Sequence, residues 1–218
     1  MILIKNGLLI GETENKQDIV IENDRIKDIG KPGSFSDGKF TKVIDAEGKW
    51  IIPGLVDLHV HLREPGQEWK ETILTGSQAA VLGGYTTICS MPNTKPVNDN
   101  QEVTKFIIQK AKAAGLAKVL PIGSITKGLK GEEMSPFNEL FQAGCVAFSD
   151  DGEPVFNSAI MYKALEWASQ LGVPLALHEE DKCLSANGVM NESGLSVKLG
   201  LRGFSGLAEE VMIARDIE

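Results

Sequence analysis

The chain has 218 residues, of which 42% are hydrophobic and 24% charged, with a formal net charge of −8. That length holds one large domain or one domain plus a small appendage, and the balance is that of an ordinary globular protein. The acidic surplus argues against a nucleic-acid footprint, and no apolar run is long enough to span a membrane.

The N-terminal Met-Ile-Leu-Ile-Lys reads as a strand rather than a signal peptide. Cys89, Cys145 and Cys183 are odd in number and scattered. They form neither a metal-ligand spacing nor a disulfide framework, so a reducing cytoplasm is the expected location.

Residues 1 to about 50 read as short β-strands. Ile2-Leu3-Ile4-Lys5 meets an Asn6-Gly7 turn signal, with Leu8-Leu9-Ile10 after it. Asp18 to Gly30 reads as two strands about a polar turn, and Val43 to Trp50 adds another. Residues 1–52 are expected to form a small β-sandwich segment, incomplete without the C-terminal end of a whole protein and too short to bury a good core alone.

From Pro53 the pattern becomes strand alternating with helix. Strands are expected at Gly54–Leu62, Tyr85–Met91, Lys118–Ile125, Cys145–Ser149 and Val173–Leu177. Helices are expected at Trp69–Gly83, Asn100–Ala114, Pro136–Ala143, Ser158–Gln170 and Leu207–Glu218. Gly83, Gly115, Gly144 and Gly172 supply helix stop signals. The lysines from Lys105 to Lys118 have helical spacing and read as a solvated face.

Serial β-α units predict a parallel sheet. No Gly-x-Gly-x-x-Gly opens a helix after a strand, so a dinucleotide-binding sheet is disfavoured. The alternative is a (β/α)8 barrel of TIM type over residues 53–218, with about its first five units present. Such a barrel carries its chemistry at the C-terminal ends of the strands. His59 and His61, Asn93, Asp150-Asp151 and His178 each follow or end a different expected strand.

Two of the three histidines lie in Asp57-Leu58-His59-Val60-His61. Side chains i and i+2 of a strand share a face, so two imidazoles stand side by side, as a divalent cation requires. Asp57 is close enough to fix a histidine tautomer. Adjacent residues point oppositely, so one of Asp150 and Asp151 faces the centre, and spacing does not say which. His178, at the end of an apolar strand, is a further candidate ligand. Two metals sharing such a site lower the pKa of water to around 7, which supplies a nucleophile for an amide carbonyl. Arg63 shares the side of His61 and calls for an anion, either a substrate carboxylate or a surface acid such as Glu64. Asn93 can add a hydrogen bond to the same anion. Cys89 has no basic neighbour in sequence to make it a nucleophile.

These runs resemble the bacterial class I dihydroorotases of the amidohydrolase superfamily. The resemblance rests on Asp57 to Gly66 with Lys70-Glu71-Thr72, Gly83-Gly84-Tyr85-Thr86-Thr87, Met91-Pro92-Asn93-Thr94, Ala147 to Gly152 and His178-Glu179. It implies that His59 and His61 bind a first zinc and that His178 binds a second. It further implies that Asp151 is the carboxylate between them, and that Arg63 and Asn93 hold the substrate carboxylate. The implied reaction is the reversible closure of N-carbamoyl-L-aspartate to L-dihydroorotate in pyrimidine biosynthesis. It implies a metal-dependent cyclic amidohydrolase as a complete chain, carrying one or two Zn2+, as a possible homodimer.

Hydantoinases and allantoinases bridge their metals with a carboxylated lysine, and Cys145 to Asp151 contains none. The resemblance covers five of eight strands. The family's sixth-strand histidine and eighth-strand catalytic aspartate have no counterpart in residues 1–218. A part of a longer polypeptide or a truncated product, inactive alone, is therefore expected. The alternatives are a non-catalytic partner of aspartate transcarbamoylase and another cyclic amidohydrolase such as allantoinase.

Overall fold

The computed structural model describes residues 1–11 and 15–218. The chain divides into two compact units, Met1–Gly54 and Leu55–Glu218.

The first unit is a single mixed sheet of β1 (Ile2–Leu9), β2 (Asn15–Glu22), β3 (Arg25–Gly30), β4 (Lys42–Asp45) and β5 (Trp50–Ile51), in the order β3-β2-β1-β4 with β5 also on β1. The expected break at Asn6-Gly7 is absent, because β1 runs through it. The pairing of β1 with β2 shifts register between Ile4 and Gly7, and Asn6 sits at φ 60°. This is a bulge, which a left-handed Asn accommodates. Gly7 is needed at this point, since a Cβ there would lie 2.3 Å from the Ile51 side chain.

The second unit begins with β6 (Leu55–Val60), α1 (Ile73–Leu82), β7 (Tyr85–Ser90), α2 (Gln101–Ala114) and β8 (Lys118–Gly123). It continues with α3 (Phe137–Ala143), β9 (Ala147–Phe148) and α4 (Ser158–Leu171). The strands lie parallel in the order β6-β7-β8-β9. The expected fifth strand is reduced to a parallel bridge between Leu175 and Phe148. Its partner β9 is only two residues long, so the ladder has room for little more. The result is an α/β fold with an open, partial barrel sheet.

Alternation sorts the strand residues onto two faces. Ile88 and Val119 pack with Ile73, Val103 and Ile107 under α1 and α2. Cys89 and Ile122, one or three residues on, turn to the other face with Met91 and Ala147. Phe148 packs with Leu140, Met161 and Ala164 of α3 and α4, and its ring stacks on Phe137 at 3.9 Å. Each buried Val, Leu, Ile, Phe or Met among them contributes about 1.5–3 kcal/mol. At the open edge, β6 leaves Val56 and Leu58 exposed.

Helix α1 starts four residues later than expected. Thr72 caps it in a reciprocal box with Thr75, and residues 63–70 instead form turns in which Gln67 N–H donates to Arg63 C=O. Asn100 and Asn157 cap α2 and α4, and Gly115 and Gly172 end them in left-handed conformation. Beyond residue 180 the chain forms α5 (Lys182–Ser185), β10 (Met190–Asn191), α6 (Gly194–Leu199), β11 (Gly203–Phe204) and α7 (Leu207–Ile217). Only α7 among these is expected from periodicity, because the others are too short to show one. Among the described residues no helix is long and apolar enough to cross a membrane.

Candidate metal centre

His59, the fifth residue of β6, and His61, just past its end, share a face, with ring centroids 5.2 Å apart. Met91 N–H donates to Val60 C=O at 2.9 Å, which ties this strand end to the start of the loop after β7. The loop after β9 then brings in Asp151. His59 Nε2 lies 3.4 Å from Asp151 Oδ1, and His61 Nε2 lies 3.5 Å from Asp151 Oδ2. The ligand-type atoms of His59, His61 and Asp151 all lie within 4.8 Å of one another. Two imidazole nitrogens and a carboxylate oxygen around one point are a donor set that suits a divalent transition metal. His59 is half exposed and Asp151 largely buried, so the cluster opens to solvent on one side.

The two adjacent aspartates have opposite employment. Asp150 is 2% exposed. Its Oδ1 accepts from Ile125 N–H at 2.8 Å and Thr126 N–H at 2.9 Å, and its Oδ2 accepts from the Thr126 hydroxyl. Burial pushes its pKa up, and the three hydrogen bonds oppose that shift. Its acceptors are spent on holding the β8 loop. Asp151 N–H meanwhile donates to Ser149 Oγ at 3.0 Å, which leaves the Asp151 carboxylate facing the histidines.

Asn93 stands between the elements. Its Oδ1 lies 3.0 Å from His61 Nδ1 and its Nδ2 lies 3.3 Å from Asp151 Oδ2. Asp57, expected to fix a histidine tautomer, does not reach a ring. Its Oδ1 accepts from the His59 main-chain N–H at 3.0 Å, the partner within reach of a short side chain two residues back.

Arg63 has a left-handed backbone, φ 57°, and its Nη1 reaches the Asn93 carbonyl at 3.5 Å. Among the described residues it has no carboxylate partner. Glu64 is engaged elsewhere, accepting from Ile73 N–H at 2.9 Å and pairing with Lys110 at 3.1 Å. Gln67, which sequence reasoning missed, donates to the same Asn93 carbonyl at 3.4 Å. It lies in a loop without periodicity, and nothing in its spacing marks it.

His178 lies apart from the three-residue cluster. Its Nε2 meets Glu180 Oε2 at 2.9 Å. The Ser185 hydroxyl first, and His178 second, hold the Glu180 carboxyl below its ordinary range. Glu179 moves the other way, since burial raises its pKa and its Oε2 is buried without a hydrogen-bond partner.

The chain is 48% identical over its whole length to a dihydroorotase of Anaeromyxobacter dehalogenans, covering 50% of that protein. It is 49% identical to a dihydroorotase of Geobacter metallireducens over 99% of the chain and 51% of that protein. An L-hydantoinase (dihydropyrimidinase) from Arthrobacter aurescens shares the fold, with TM-score 0.71 and 22% identity over 85% of this chain and 42% of its own. A D-hydantoinase from Thermus sp. gives TM-score 0.63 and 27% identity over 85% of this chain and 42% of its own. The chain thus spans about half the length of the relatives it matches. That corrects the expectation of a metal-dependent cyclic amidohydrolase as a complete chain. Residues 1–218 correspond to about half of those relatives, and their parallel sheet β6-β7-β8-β9 does not close into a barrel. What the sequence does establish is lineage: residues 48–218 match the dihydroorotase-like family model, and the chain belongs to that family.

Proposed function

We propose that this chain carries the metal-binding and substrate-anchoring residues contributed by the first part of a dihydroorotase barrel, residues 53–218. His59, His61 and Asp151 hold a divalent cation, and His178 is the candidate ligand of a second. Zinc fits the nitrogen and oxygen donors and the open position toward solvent. The observation that carries the reading is the convergence of both Nε2 atoms on one carboxylate, at 3.4 and 3.5 Å. These separations are too long for good hydrogen bonds and leave room for an ion between the three groups.

A cation bound there would lower the pKa of water and polarise an amide carbonyl. The remaining work falls to the protein. Arg63, without a carboxylate partner among the described residues, binds the carboxylate of a cyclic amide of the dihydroorotate class, and Asn93 orients it. Asp150 holds the loop that aims Asp151. The whole protein would interconvert N-carbamoyl-L-aspartate and L-dihydroorotate.

Isothermal titration of the chain with Zn2+ tests the metal site. Saturable binding lost in His59→Ala, His61→Ala and Asp151→Ala supports it, and binding unchanged in all three refutes it. Turnover of dihydroorotate is assayed with the segment that extends the relatives beyond this match supplied in trans. No turnover from that mixture, or from a chain joining the two, removes the substrate assignment.

A further inference from the structure

We infer that Asn93 sets the tautomer of His61, so that its Nε2 presents a lone pair to the cluster. The argument rests on which atoms can donate. The Asp151 carboxylate and main-chain carbonyl are acceptors. Asn93 Nδ2 lies 3.3 Å from Asp151 Oδ2 and 3.5 Å from the Asp151 carbonyl oxygen. The NH2 end of the amide therefore faces Asp151. Its C=O end then faces His61, with Oδ1 3.0 Å from Nδ1.

A carbonyl oxygen cannot donate, so the proton on this contact belongs to His61 Nδ1. A neutral imidazole carries one such proton. Nε2 is left with its lone pair, and that lone pair points at Asp151 Oδ2 across 3.5 Å. Two acceptors facing each other repel unless a cation lies between them. The opposite amide orientation would set the amide oxygen against a carboxylate oxygen at 3.3 Å and leave the proton on Nε2, which blocks the ligand position. One side chain thus couples the two ligands. The carboxylate orients the amide, and the amide orients the imidazole. Behind Asn93, Arg63 Nη1 and Gln67 Nε2 approach its main-chain carbonyl at 3.5 and 3.4 Å, and Lys70 Nζ donates to Gln67 Oε1 at 2.9 Å.

This makes Asn93 a positioning residue for the ligand His61, a role apart from any contact with substrate. The tautomer itself is independent of the metal reading; its consequence for affinity rests on that reading.

The test is a long-range proton–nitrogen NMR correlation of the metal-free 218-residue chain with 15N-labelled histidine, at about pH 8.5, where an ordinary imidazole is neutral. His61 is expected with a protonated Nδ1 and a bare Nε2. Asn93→Leu should shift it toward the Nε2–H form and weaken Co2+ binding by about 10–100-fold. Asn93→Asp keeps an acceptor opposite Nδ1 and should keep the wild-type tautomer. A protonated Nε2 in the wild-type chain overturns the inference, whether or not the variants fold. So does an Asn93→Leu chain that keeps the Nδ1–H form. A wild-type chain with the expected tautomer that binds no Co2+ leaves the inference standing and removes the metal reading instead.

Discussion

A Cβ on Gly66 would lie 1.8 Å from the Lys95 carbonyl oxygen, and the Lys95 N–H donates to Pro65 C=O at 2.9 Å. The loop after β6, which carries Arg63, is thereby pressed against the loop after β7, which carries Asn93. Gly66 also sits at φ 90°, a backbone conformation that side chains rarely adopt. Gly66→Ala should therefore separate the two loops and cost about 2–4 kcal/mol. Urea denaturation measures the loss. A change under about 0.5 kcal/mol, the scale of an ordinary surface substitution, would mean that the two loops are not held by this contact.

The adjacent aspartates should separate stability from binding. Asp150→Ala orphans the Ile125 and Thr126 N–H groups and the Thr126 hydroxyl, and should cost about 2–4 kcal/mol. Asp151→Ala removes a carboxylate whose main contacts are His59, His61 and Asn93. It should leave stability within about 1 kcal/mol and abolish metal binding. Urea melts paired with Zn2+ titrations check both, and the reverse pattern would exchange the roles.

Metal should stabilise the fold by mass action. Free Zn2+ at roughly 100 times its dissociation constant adds about 2.7 kcal/mol to the unfolding free energy. A thermal melt with and without Zn2+ reads this as a raised Tm that chelator reverses. His59→Ala should remove the shift; a shift that survives in that variant would place the bound ion elsewhere.

The three thiols should differ in reactivity. Cys183 is exposed, whereas Cys89 and Cys145 are buried. Burial pushes the Cys145 thiol up to about 11, against hydrogen bonds from Thr104 and Asn98, and pushes Cys89 up as well. Iodoacetamide should modify Cys183 in the native chain, and all three only after unfolding. Peptide mass mapping that finds Cys145 alkylated first would contradict this packing.

Much of the second unit is legible in the sequence because its elements are long and punctuated. Asn100 and Gly115 bracket α2, and Asn157 and Gly172 bracket α4, at chemically distinctive residues. The first unit is less legible. Asn6-Gly7 has the chemistry of a hairpin turn and of a bulge alike, and the Ile51 side chain that packs where a Gly7 Cβ would be lies far along the chain. The short elements past residue 180 are settled by contacts such as Asp181 N–H to Ala208 C=O, which no local pattern announces.

The sequence by itself determined that His59 and His61 share a strand face, because a period of two is a property of the strand backbone. It determined the parallel succession of β6 to β9, after whose C-terminal ends His61, Asn93 and Asp151 follow. Spacing left the choice of aspartate open and the family resemblance assigned Asp151; the tertiary structure supplies the physical reason, since Ile125 and Thr126, on an earlier strand's loop, claim Asp150. It alone replaced Asp57 with Asn93 as the partner of an imidazole. Hydrogen-bond partners are assigned by three-dimensional reach and by donor–acceptor parity, and neither is written in the spacing of residues along the chain.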